Sequence, residues 1–157
     1  VARFRDLYVD NFDVETVGRF VLGRYWRTAD DAQRARFLEL FTDVMVLTWA
    51  GRFKDYQGQT LEVLDAKADG DAGAFVESRV NQTEGEPIKV GWRLRTPDGA
   101  FKVVDLSVEG ASMAITYRDQ YTSVIRNNGG LDALLGALEN KRAQLQADLG
   151  VEEPDAG

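Results

Sequence analysis

The chain has 157 residues, with 26 Asp and Glu against 19 Lys and Arg and neither His nor Cys. A net charge of −7 lacks the clustered cations that nucleic acid and anionic lipid surfaces require. Without Cys there are no disulfides or thiolate ligands. Without His, the usual general base at neutral pH and the commonest transition-metal ligand are missing.

Hydrophobic residues at 44% and charged residues at 29% match an ordinary globular protein. No apolar run approaches the roughly 18 residues that cross a bilayer. The length predicts one domain over 1–150. Helices are expected over 1–52, antiparallel strands over about 59–109 and helices over about 112–148, before a frayed tail at 151–157.

In chain order, "FDVETVGRFVLGRYW" opens on Asp13 as an N-cap, with Val14, Val17 and Val21 on one helical face. The long segment from Thr28 starts with a capping box, Thr28 and Asp31. It carries Phe37, Leu38, Phe41, Val44, Met45, Thr48 and Trp49 as a broad apolar stripe, and Gly51 with "KDYQGQ" is expected to end it.

The period then changes from helical to alternating. "TLEVLDAKA" and "AGAFVESRVNQ" read as strands around a "DGDAG" turn. In "PIKVGWRLRT", Ile88, Val90, Trp92 and Leu94 take one face, and Lys89, Gly91, Arg93 and Arg95 the other. "PDG" at 97–99 reads as a hairpin turn. A helix is expected from about Ser112 to Arg126. "NNGG" breaks it before a leucine-rich amphipathic helix. Helices, a meander and helices make an α+β fold: a strongly twisted antiparallel sheet, cone-like, whose concave side is filled by side chains or left open for a ligand.

Chemistry-bearing constellations are sparse. The carboxylate pairs in "DDAQRARFLEL" and "GVEEPD" read as a solvated helix start and a tail, and no glycine-rich segment makes a phosphate loop. No metal ligand set, cofactor or catalytic residue is assigned. Asp105 shares a predicted strand face with Phe101 and Val103, so it needs a partner. A structural ion pair with Arg93 or Arg118 is expected. The competing role is a base in an apolar pocket, with Tyr117 or Tyr121 beside it, as in isomerases and dehydratases of cone-like folds.

The order of motifs is more specific than any one of them. "FD" at 12–13, "LGRYW" at 22–26, "AQRARFLELF" at 32–41, Trp49–Ala50 and "YQGQ" at 56–59 are followed by "GWRL" at 91–94, "FKVVD" at 101–105, "VEGAS" at 108–112 and "YRDQY" at 117–121. Together they resemble the MlaC, or toluene-tolerance, family of periplasmic phospholipid-binding proteins. Phe101, Trp49 and Tyr121 depart from that pattern as one aromatic for another.

The resemblance implies an NTF2-like cone in which helices enclose a deep apolar pocket for acyl chains, with the headgroup near solvent. It also implies a periplasmic lipid carrier rather than an enzyme, its export signal removed from this chain. The implied partners are an inner-membrane ABC transporter complex with a membrane-anchored ring component, and an outer-membrane lipoprotein complex. A relative associated with hopanoid biosynthesis shares the motifs, so a polycyclic lipid is the alternative cargo. The expected sheet wall of the pocket is Val76, Val80, Val90, Trp92 and Leu94. Phe37, Phe41, Val44 and Met45 are expected as one helical wall, and Met113, Tyr117, Tyr121 and Ile125 as the other.

Overall fold

The computed structural model describes residues 2–54, 58–96 and 99–150. Four helices come first: α1 (Ala2–Asn11), α2 (Val14–Leu22), α3 (Arg24–Thr28) and α4 (Asp31–Lys54). Five strands follow: β1 (Thr60–Ala68), β2 (Gly73–Asn81), β3 (Ile88–Arg95), β4 (Lys102–Val108) and β5 (Ala111–Ser112). The helices α5 (Met113–Asn128) and α6 (Leu131–Leu149) end the described chain. The strands form one antiparallel sheet in the order β1-β2-β3-β4-β5, and it does not close into a barrel.

Local chemistry sets the boundaries. Asp13 caps α2 as expected, its carboxylate accepting from the Thr16 N–H at 3.2 Å. The capping box of α4 lies two residues on from Thr28 and Asp31. Asp30 accepts from the Gln33 N–H at 2.7 Å while the Gln33 side chain accepts from the Asp30 N–H at 3.0 Å. Asp and Gln satisfy both orphan donors reciprocally, which Thr28 does not reach. Gly51 does not stop α4, which continues to Lys54. Residues 55–57, the hairpin positions 97–98 and the tail 151–157 lie outside the described residues.

Between β4 and β5, Glu109 (φ 51) and Gly110 (φ 82) both take positive φ, the requirement of a two-residue hairpin turn. Ser112 then caps α5, accepting from the Ile115 N–H at 3.2 Å. Gly91 interrupts β3 for a different reason: a Cβ there would lie 2.5 Å from the Phe75 ring, which crosses the outer face of the sheet.

The helices have their own interior. Val21, Leu22, Phe37, Leu40, Val46 and Leu134 are at most 1% exposed. The long helix α4 is buried on most sides, as Leu40, Phe41, Val44, Met45, Val46 and Leu47 show, so it is the axis around which α2, α5 and α6 pack. The Asp43 carboxylate ties three helices, meeting Arg5 of α1 at 2.6 Å and Arg142 of α6 at 2.9 Å. The sheet joins this bundle through its β4 side. Phe12, at the end of α1, bridges to Val103, and the Asp13 N–H donates to the Val103 carbonyl at 3.0 Å.

Candidate functional site

Between the sheet and the helices the interior is not filled. A cavity of about 570 Å³ opens there, within the range of small-molecule sites. Four walls line it. The sheet gives Val80, Ile88, Val90, Trp92, Val103, Leu106 and Val108. α4 gives Phe41, Met45, Trp49 and Arg52. Met113, Ala114 and Tyr117 of α5 face Phe4, Leu7, Tyr8 and Phe12 from the α1 end.

The expected wall residues separate into two groups. Val80, Val90, Trp92, Phe41, Met45, Met113 and Tyr117 line the cavity; Val76, Leu94, Phe37, Val44, Tyr121 and Ile125 do not. Phe37, Val44, Tyr121 and Ile125 belong to the packed helical interior. A helical stripe shows only that one side is dry, not whether a helix or a void lies against it. Val76 and Leu94 share the parity of Trp92 and pair with Trp92 and Ala74, closer to the Gly73 end of the sheet than Val80 and Val90. Phe41 is the partition. At 1% exposure it stacks on Phe37 (5.5 Å) and meets Tyr117 and Tyr121 edge-on at 6.3 and 6.2 Å.

Polar atoms in the walls are mostly spoken for. Ser78, 2% exposed, accepts from the Trp92 indole N–H at 2.9 Å and donates to the Val90 carbonyl at 2.8 Å. Trp92 therefore presents ring carbon to the cavity with its N–H satisfied. Burial raises the Tyr8 and Tyr121 phenols well above their ordinary range, with neighbouring tyrosines adding to it. Burial also raises Tyr117, against a smaller opposing pull from the Arg52 charge. These phenols stay neutral, so none is a base near pH 7.

Asp105 does not pair with either expected arginine. Its Oδ1 accepts from the N–H groups of Leu106 (2.7 Å) and Ala114 (3.1 Å), and its Oδ2 from the Ser112 hydroxyl. It braces the corner where the meander enters α5. Arg93 turns to Asp69 at 3.7 Å and lies over the Phe75 ring, and Arg118 lies over the Phe20 ring. The expected parity failed at a bulge: Arg93 pairs with Asp105 but Leu94 pairs with Val103, which leaves Val104 without a partner and puts Asp105 and Val103 on opposite faces. Phe101, expected on that dry face, is 60% exposed.

The α1 wall was not singled out from the sequence, although Phe4, Tyr8 and Phe12 recur every fourth residue and mark a helical stripe. Gln59 and Arg52 were missed as well, since an isolated polar residue at a segment end carries no signal.

A greasy cavity between a meander and helices fits the relatives. The family model described as MlaC protein matches residues 1–140. The chain belongs to the MlaC family. The intermembrane phospholipid transport system binding protein MlaC of Haemophilus influenzae is 28% identical over 137 residues, which is 84% of this chain and 63% of that protein. The toluene tolerance protein ttg2D of Pseudomonas putida is 29% identical over 106 residues, 68% of this chain and 49% of that protein. The chain thus spans about half to two thirds of the curated relatives it matches. A phospholipid-binding protein from Ralstonia solanacearum, solved in complex with a phospholipid, superposes with a TM-score of 0.79 at 28% identity. That match covers 87% of this chain and 76% of the other. Among the described residues, no helix is long and apolar enough to cross a membrane.

Proposed function

We propose that the protein is a periplasmic carrier that holds a phospholipid by its acyl chains and moves it between membranes without altering it chemically. The observation that carries this is the cavity itself: about 570 Å³ of unfilled space whose walls are almost entirely carbon. A solved relative with 28% identity and a TM-score of 0.79 was found with a phospholipid bound. Asp105, the one carboxylate among the described lining residues, is engaged in capping rather than poised toward the cavity contents.

The energetics favour a carrier that depends on partners. If a methylene fills about the 30 Å³ that water occupies in the liquid, the cavity shelters roughly 20 of them. At about 0.8 kcal/mol each, the gross gain is on the order of 15 kcal/mol before ordering costs. Spontaneous loss of such a ligand to water is negligible. Release requires another apolar sink, which the proposal assigns to an inner-membrane ABC transporter complex with a membrane-anchored ring component on one side and an outer-membrane lipoprotein complex on the other.

Val90→Trp tests the carrier. An indole placed on the sheet wall occupies space that the acyl chains would fill. Organic extraction and mass spectrometry of purified protein should find lipid in the parent and severalfold less in the variant, with the melting temperature held. Equal lipid in both proteins, or none in the parent, removes the cavity from the function.

A further inference from the structure

A lipid held by its tails leaves its polar end at the cavity rim, and the rim is not neutral. Leu7, Asn11 and Arg52 are the exposed members of the lining. Arg52 is the one basic side chain among the described lining residues, and Asp105 the one acid. Asp105 does not offset Arg52, because both its oxygens already accept from Ser112 and two backbone N–H groups. Among the described residues no carboxylate lies within ion-pair distance of Arg52. By contrast Arg5, Arg36, Arg79 and Arg142 each meet a carboxylate at 2.9 Å or less.

Arg52 is also oriented. It stands one helical turn beyond Trp49 on α4, with its guanidinium carbon 4.9 Å from the centre of the indole ring. That cation–π seat anchors the fork beside the indole, and among the described residues no carboxylate takes its N–H donors. The charge reaches the α5 wall, where it works against burial at the Tyr117 phenol. Gln59, entering β1, adds a carboxamide to the same lining. An acidic protein thus places an oriented cation, with no carboxylate in ion-pair distance among the described residues, at the edge of its large apolar cavity.

We propose that Arg52, seated on Trp49, holds the phosphate of the lipid, so that the cavity selects phosphate-bearing acyl lipids over neutral lipids with the same tails. This rests on the carrier reading. A guanidinium fork matches phosphate oxygens in bidentate fashion. At an exposed rim the contact discriminates by about tenfold rather than by many orders of magnitude, and salt weakens it.

The test loads the delipidated full chain from equimolar vesicles of phosphatidylglycerol and diacylglycerol with identical acyl chains, and reads the bound ratio by native mass spectrometry. The expected result is a phospholipid preference of about tenfold. Arg52→Gln brings it near unity by lowering the phosphatidylglycerol share, Arg52→Lys retains part of it, and Arg126→Gln, away from the cavity, leaves it intact. A wild-type ratio in Arg52→Gln overturns the proposal. Equal loss of both lipids also overturns it, because Arg52 would then be a packing residue. Excess inorganic phosphate should not change the ratio. Collapse in phosphate, but not in chloride of equal ionic strength, would assign Arg52 to free phosphate instead. A parent that binds neither lipid refutes the carrier reading itself, which is a different outcome from lipid bound without preference.

Discussion

Phe37 and Phe41 stand one turn apart on α4, and both are essentially excluded from water. Phe37 is surrounded by the helical interior. Phe41 has that interior on one side and the cavity on the other. The helical half is filled with close-packed side chains, whereas the half beneath the sheet is equally apolar but unfilled. Apolar composition is therefore common to both regions, and the difference lies in whether a facing element supplies side chains. Stability should reside mainly in the first region and binding in the second.

The largest test of that division is Phe37→Ala, which opens a hole in the filled half. It should cost about 3–5 kcal/mol in urea unfolding. Met45→Ala, at a cavity wall, should cost at the low end of the core range, about 2 kcal/mol, because atoms facing a void have fewer partners to lose. Comparable losses would erase the distinction between the regions.

Ser78→Ala comes next. It removes the acceptor of the Trp92 indole and leaves a buried N–H unpaired, at a cost of about 1–3 kcal/mol. Quenching of Trp92 fluorescence by a lipid-soluble quencher should rise in the same variant as the ring loosens.

The tyrosines sharpen the comparison by pH. Burial holds the Tyr8 and Tyr121 phenols above the 10.0 of an exposed phenol, so the folded state keeps protons that the unfolded chain releases. Their contribution is complete below pH 10 and declines as pH rises above it. The urea midpoint should fall between pH 10 and 11, and less so in Tyr8→Phe and Tyr121→Phe.

The smallest effect is expected outside both regions. Gly91→Ala pushes the Phe75 ring off the outer face of the sheet, costing about 1 kcal/mol or slightly more. Lipid content by extraction should stay at the parent level.

Much of the architecture was legible because local signals are short-range. The alternation in β3, the Asp13 cap and the break at Gly129–Gly130 each depend on a few neighbouring residues. The Asp105 partnership was not legible, because a bulge at Val104 reverses the parity on which face assignment rests. The Thr28–Asp31 box was displaced by two residues, since Asp30 with Gln33 makes the better reciprocal pair.

By itself, the sequence determined the element types, their order, the absence of thiol and imidazole chemistry, and a surplus of apolar side chains on one side of α2, α4, β3 and α6. Only the tertiary structure decided which of those side chains meet another helix and which meet empty space, and that Arg52 stands at the edge of that space. The physical reason is that hydrophobic patterning records exclusion from water. It carries no information about whether the excluded volume is occupied by protein or kept for a ligand.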